Sequence, residues 1–277
     1  MITIFTLASG RSGTRFLCDL IKQNATDSVC RHEPYFNWFN PNMFGEAIDY
    51  HTQGNVEAIR KLLRRKKRGI EYHKAHAYIE TSHAFLKSFY TLALDFFPDT
   101  KLVHLVRNPL SVAKSETNRE AKLDQVRFPL RRYKGMDGKK YFRWSLTGNE
   151  PIYRSFDLSS LSLFQRYVIQ WIEIENRAIS FLDGNDMRGE CFTLDSPRDL
   201  NDPERVKEMF RFLTLETKNE HIEIAGSHNQ TPGARTVITD EDREQFAEVV
   251  AALPESYLDI FQREPYSAFE WSALLRK

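Results

Sequence analysis

The strongest chemical signal in the chain is the stretch Ser9-Gly-Arg-Ser-Gly-Thr-Arg15. Its residues are small or polar, two are glycines and two are arginines. Backbone N–H groups in such a loop, and in the first turn of a helix following it, lack internal partners and point at an anion. Gly10 and Gly13 permit close backbone approach and positive φ. Arg11 and Arg15 add fixed positive charge. The chemistry suggested is phosphate binding. The nucleoside-triphosphate loop G-x-x-x-x-G-K-[ST] is not matched, because Thr14-Arg15 follows Gly13. The dinucleotide fingerprint G-x-G-x-x-G is absent too. Taken alone, these residues also suit a plain polar turn.

Three other places carry chemistry. His32-Glu33-Pro34 follows a short strand pattern at 28–31, and a His-Glu pair at a strand's carboxyl end can act as a general base. Proline fixes the backbone after Glu33 and disfavours helix before it. A surface turn is the alternative. Arg107-Asn-Pro109 closes the apolar run 101–106, and Ser115 lies about two turns into the helix expected beyond it. Residues 69–76 read as a strand delivering Lys74 and His76 to the sheet edge.

The elements that position these groups follow from hydrophobic periodicity. Residues 2–8 form a β-branched apolar run, hence a buried strand. Phe16, Leu17, Leu20 and Ile21 then mark one helix face. Further helices are expected over 56–68, 84–97, 110–119 and 161–182, and a fifth strand over 190–194. The run Arg64-Arg-Lys-Lys-Arg68 reads as a solvated helix end. Asp202-Pro203 and Thr239 with Asp242 read as helix starts. Aromatics at 35–44 suit a loop over a pocket or simple core packing. Residues 120–158 are rich in aromatics and basic side chains and break the alternation of strand and helix. They read as a lid or substrate insertion, with solubility as the competing account.

Composition narrows the classes. The chain has 277 residues, 41% hydrophobic and 13% aromatic, which suits one large α/β domain. A formal charge of +1 gives no whole-molecule field for nucleic acid or membrane. No stretch has the length of a membrane span, and no signal-peptide pattern opens the chain. The three cysteines, Cys18, Cys30 and Cys191, show neither pairing nor metal spacing, which favours a reducing, cytoplasmic setting.

Strands separated by helices, with an anion loop after the first, predict a three-layer doubly wound sandwich around a parallel sheet. On that frame the chain resembles the sulfotransferases that use 3′-phosphoadenosine 5′-phosphosulfate (PAPS), closest to their bacterial and carbohydrate branches. Ser9-Gly-Arg-Ser-Gly-Thr-Arg-Phe-Leu17 resembles the family's P-loop-like 5′-phosphosulfate loop. Leu105-Val-Arg-Asn-Pro-Leu-Ser-Val-Ala-Lys-Ser115 resembles its 3′-phosphate motif. The resemblance extends over most of 1–277, less clearly over 120–158 and the tail.

It implies that Arg11, Ser12, Gly13, Thr14 and Arg15 hold the 5′-phosphosulfate, with Arg11 where many relatives have a lysine. It implies that Arg107 and Ser115, with Arg235 as a further candidate, hold the 3′-phosphate. In related bacterial and carbohydrate enzymes a glutamate at the second strand's end is the base, a place Glu33 matches. His32 is the rival, since cytosolic relatives use a histidine, though from a later segment. Lys74 or His76 would then orient acceptor or sulfuryl group. No metal, membrane span or nucleic-acid partner is expected, and the acceptor is a small molecule or glycan. A small-molecule kinase on the same fold and a non-catalytic nucleotide- or polyanion-binding module are the alternatives. The kinase would need a phosphate lysine and a magnesium ligand.

Overall fold

The structure is a computed structural model that describes residues 1–34, 41–224 and 237–276. The order of elements is β1 (Ile2–Leu7), α1 (Thr14–Asn24), β2 (Ser28–Arg31), α2 (Glu46–Thr52), α3 (Val56–Glu71) and β3 (Ala77–Glu80). A π turn (Phe85–Phe89) and a 3-10 turn (Tyr90–Leu92) then lead into α4 (Ala93–Phe96). Next come β4 (Thr100–Val106), α5 (Pro109–Gln125), the hairpin β5 (Arg132–Lys134) and β6 (Lys140–Phe142), and α6 (Leu163–Gly184). The last are β7 (Cys191–Asp195), α7 (Pro203–Phe212) and α8 (Asp240–Ala252).

Five strands form one parallel sheet in the order β2-β3-β1-β4-β7. Phe5 of β1 stands between Glu80 of β3 and Leu102 of β4. Alternating side chains send Phe5 and Leu7 into one apolar layer and Ile4 into the other. The first layer is closed by residues of α3, α5, α6 and α8, the second by α1 and α7. Helices thus cover both faces, as a parallel sheet requires, because βαβ crossovers place a helix against each face. The fold is the doubly wound α/β architecture expected from the sequence. After β1 the chain turns toward β3 and β2; after β4 it turns toward β7. The connections therefore diverge between β1 and β4, where a crevice opens at the strands' carboxyl ends.

Several expectations held. The α6 stripe of Phe164, Tyr167, Val168, Trp171, Ile172 and Ile179 is buried core. Asp202 caps α7 by accepting from the N–H groups of Glu204 and Arg205, and Thr239 with Asp242 forms a capping box on α8.

Others need correction. The strand expected at 69–76 does not exist. α3 continues to Glu71, because Gly69 and Ile70 lie on its buried face and extend its core contact. β3 starts only at Ala77. The N–H of Ile2 donates to the carbonyl of His76, so Lys74 and His76 sit at the amino ends of the strands, opposite the ligand crevice. The basic run 64–68 is not wholly solvated, since Lys66 is buried, paired with Glu80 and near the rings of Phe5 and Phe89. The helix expected over 84–97 is broken into π, 3-10 and α turns. α5 runs six residues past its expected end, into the stretch read as an insertion.

Candidate active site

The loop after β1 takes the conformation its glycines allow. Gly10 has φ +105°, Arg11 +51° and Gly13 +98°. Gly13 is the N-cap of α1, so the loop ends directly on the helix N-terminus. A Cβ at Gly10 would lie 2.5 Å from Glu116 Oε1. One at Gly13 would lie 2.9 Å from both Ser196 Oγ and Leu200 Cδ1. Both positions are thus closed to a side chain by conformation and by space.

The second motif meets this loop in space. Arg107, at the end of β4, donates from Nη1 to the carbonyl of Arg11 at 2.7 Å. Arg11 Nε donates to Ser115 Oγ of α5 at 2.9 Å, across 104 positions of sequence. α5 is held in place at its start by Asn108, whose side chain accepts from the N–H groups of Leu110 and Ser111, with Pro109 in the first turn. Burial lowers the pKa of both Arg11 and Arg107, and Arg11 lowers that of Arg107 further. Two close guanidiniums in a partly dry crevice favour an anion between or beside them.

A cavity of about 480 Å³ opens over this cluster. Arg11, Gly13, Thr14, Arg15, Phe16, His32, Glu33, Arg107 and Arg119 line it on one side. Ser196, Pro197, Leu200 and Asn201, from the β7–α7 connection, line the other. Among the described lining residues four are arginines and one is a carboxylate. Ser12 is buried behind the loop, its hydroxyl without a hydrogen-bond partner. Arg15 is exposed and lies 3.8 Å from Asp19. Arg235 lies outside the described residues, as do the aromatics Tyr35, Phe36, Trp38 and Phe39.

Glu33 follows β2 with φ +42°, an uncommon backbone for this residue type, and Pro34 follows it. His32 Nδ1 lies 2.8 Å from the carbonyl of Thr81, which can only accept, so Nδ1 carries the proton and neutral His32 presents Nε2 as an acceptor. That Nε2 is 3.9 Å from Glu33 Oε1. His83, beyond β3, comes closer, with Nε2 3.1 Å from Glu33 Oε1 in an approach not aligned as a good hydrogen bond. The His83 ring packs on Phe44 at 4.6 Å. Burial raises the Glu33 pKa, but His83, then His32 and Arg119, outweigh it and hold the carboxyl at about 2. Burial brings His83 down to about 4, with Lys87 adding to the effect. At neutral pH the pair is therefore a carboxylate beside a neutral imidazole.

Sequence reasoning missed His83, Lys87, Glu116 and Arg119. Arg119 Nε lies 3.1 Å from Glu116 Oε2, and its guanidinium covers the rings of Phe142 and Trp144. Lys87 is fully buried, donates to the carbonyl of Trp144 at 2.7 Å, and is brought to a pKa of about 7 by that burial. The misplaced third strand hid His83, because only with β3 at Ala77–Glu80 does Thr81-Ser-His83 become a strand's carboxyl end. Arg119 had a legible signal, lying four residues after Ser115 on the same helical face. In the 120–158 stretch, Arg131 and Arg132 bind Asp124 and Glu120, so two of its basic side chains are held within the segment.

Fold and site together define a doubly wound α/β protein with a cationic crevice built for an anion at the carboxyl ends of β1 and β4. No protein-family model and no curated protein sequence matches the chain. Among solved structures, a sulfotransferase from Alicyclobacillus acidocaldarius aligns over 99% of this chain and 98% of its own, at 18% identity and a TM-score of 0.48. The sulfotransferase domain from the curacin biosynthetic pathway aligns over 98% and 95%, at 14% identity and a TM-score of 0.46. No helix among the described residues is long and apolar enough to cross a membrane. Among the same residues no group of three or more His, Cys, Asp or Glu side chains is placed to hold a metal.

Proposed function

We propose that this chain is a PAPS-dependent sulfotransferase, one domain over 1–277, acting in the cytoplasm on a hydroxyl or amine. The observation that carries the reading is the interlocked Arg11–Ser115 and Arg107–Arg11 pair beneath the cavity that Glu33 faces. Donor phosphates and acceptor base then share one space. Two sequence-distant anion elements joined at one crevice suit a nucleotide phosphorylated on both sides of its ribose.

The residues divide the work by position. Ser12, Gly13 and Thr14 offer loop and helix-terminal N–H groups to the 5′-phosphosulfate, with Arg15 at the rim. Arg107 and Ser115 take the 3′-phosphate, with Arg235 as a further candidate. Arg11, between the two, is the cation that meets charge developing on the leaving phosphate. PAPS supplies an activated sulfuryl group, and transfer is an in-line displacement that depends on positioning and electrostatics. Glu33, ionised and facing the cavity, takes the acceptor's proton. His83 stands against Glu33, and His32 is the alternative proton acceptor through Nε2. A carbohydrate is the first acceptor class to test.

Calorimetry tests this with 3′,5′-ADP (PAP) in metal-free buffer, against 5′-ADP and Mg-ATP. PAP is expected to bind best. Arg107→Ala is expected to weaken it by about 2 kcal/mol, close to thirtyfold, as for loss of a charged hydrogen-bond partner. Better binding of Mg-ATP would overturn the reading and favour a kinase.

A further inference from the structure

Two of the three cysteines meet inside the protein. Cys18 lies on α1, one turn beyond the anion loop, and Cys30 lies on β2, three residues before Glu33. Their sulfurs are 3.2 Å apart, with Cys30 Sγ donating to Cys18 Sγ. Both are buried, at 0% and 4% exposure, whereas Cys191 is remote in β7 and partly exposed. We propose that Cys18 and Cys30 are an oxidation site, a dithiol that peroxide converts reversibly into a disulfide tying α1 to β2.

The chemistry is asymmetric. The hydrogen bond from Cys30, with Lys22 and Thr81 adding to it against burial, brings the Cys18 thiol to about 7, while burial raises that of Cys30. Asp19 opposes the Cys18 thiolate. Cys18 is thus the more acidic of the two thiols, about half thiolate at neutral pH, and the attacking one. It attacks one peroxide oxygen: the S–O bond forms, the O–O bond breaks, and hydroxide leaves. The sulfur is oxidised by two electrons to the sulfenic acid and the peroxide is reduced. Cys30 then attacks the Cys18 sulfur. The S–S bond forms, the S–O bond breaks, and the departing hydroxide takes the Cys30 proton as water. Hydrogen peroxide is the fitting oxidant class, because buried thiols exclude bulky disulfides.

The bond would bring the sulfurs from 3.2 Å to about 2.05 Å, a change shared between rotation of the two side chains and movement of α1 against β2. α1 carries the anion loop at its start and β2 leads to Glu33. This consequence for ligand binding rests on the reading of the crevice as a donor site; formation of the disulfide does not.

The test uses the full chain, reduced, desalted, exposed to hydrogen peroxide, alkylated under denaturing conditions and digested. Linked Cys18 and Cys30 peptides, with Cys191 fully alkylated, support the proposal; alkylation of both Cys18 and Cys30 overturns it. In Cys30→Ala a sulfenic-acid trap such as dimedone should mark Cys18. In Cys18→Ala it should leave Cys30 unmarked, and marking of Cys30 would overturn the assigned order. PAP affinity of the oxidised protein should fall by about tenfold, the loss of one charged hydrogen bond at the anion loop, and return with dithiothreitol. An unchanged affinity in a disulfide-linked protein that binds PAP when reduced overturns the coupling. Failure of the reduced protein to bind PAP would instead overturn the donor-site reading and leave the disulfide result standing.

Discussion

Glu33 stands in an uncommon backbone conformation with an imidazole on either side. A carboxylate that His83, His32 and Arg119 hold at about 2 is a weak base in the free protein, yet it is ionised near neutrality. On the proposed reaction, proton transfer to it becomes favourable only as the acceptor atom bonds to sulfur and its proton turns acidic. Replacing Glu33 by Gln keeps its shape and removes the base. The expected result is a PAP affinity within about threefold of the parent and a turnover reduced by about 10²–10⁴, the usual range for loss of a general base. Steady-state kinetics with any competent acceptor, beside PAP calorimetry, would check it. Undiminished turnover would transfer the role to His32. Free-enzyme activity should show no acid limb from Glu33 until well below pH 4, since its pKa lies near 2.

At the scale of elements, α5 does most of the assembling. It brings Ser115 to Arg11, Glu116 beneath Gly10, and Arg119 to the cavity wall. Its start depends on the Asn108 side chain, which satisfies two otherwise open N–H groups. Asn108→Ala should therefore destabilise the protein by about 1 kcal/mol, seen as a lower urea midpoint with an unchanged slope. The anion loop is less tolerant. Gly10→Ala forces a Cβ to within 2.5 Å of Glu116 Oε1 at φ +105°, and PAP binding should weaken at least about tenfold, since the loop must move. The start of α5 was legible, because the apolar run closes at Arg107-Asn-Pro109 and a helix pattern follows; its run on to Gln125 and the placing of Glu116 and Arg119 were not. Nor was the β3 region. Gly69 reads locally as a helix end, but burial of Gly69 and Ile70 carries α3 on through it.

For the molecule as a whole, the buried imidazoles predict how stability follows pH. His83 is brought down to about 4 and His51 to about 3, in each case chiefly by burial, from an ordinary value of 6.5. Both are neutral when folded but bind protons when unfolded as pH drops through 6.5. Their contribution is complete above that value and is lost as pH falls from about 6.5 toward 4, by up to about 1.4 kcal/mol per pH unit for each. Urea midpoints measured between pH 7.5 and 4.5 should fall accordingly. His51→Gln, which lies away from the crevice lining, should flatten that fall; an unchanged slope would exclude His51 as a cause.

The same large scale separates what the amino-acid order determines from what packing decides. Strand β1, the glycine loop and the start of α1 are contiguous, so β-branched residues, glycines and an apolar helix face reveal them together. The strand end at Arg107 and its helix to Ser115 are equally local. The tertiary structure alone decides that Arg11 reaches Ser115, that His83 rather than His32 lies nearest Glu33, and that Cys18 touches Cys30. Each of these contacts joins separate elements around the sheet. Their meeting depends on the strand order β2-β3-β1-β4-β7, which must bury two apolar faces at once, and local residue types do not specify that order.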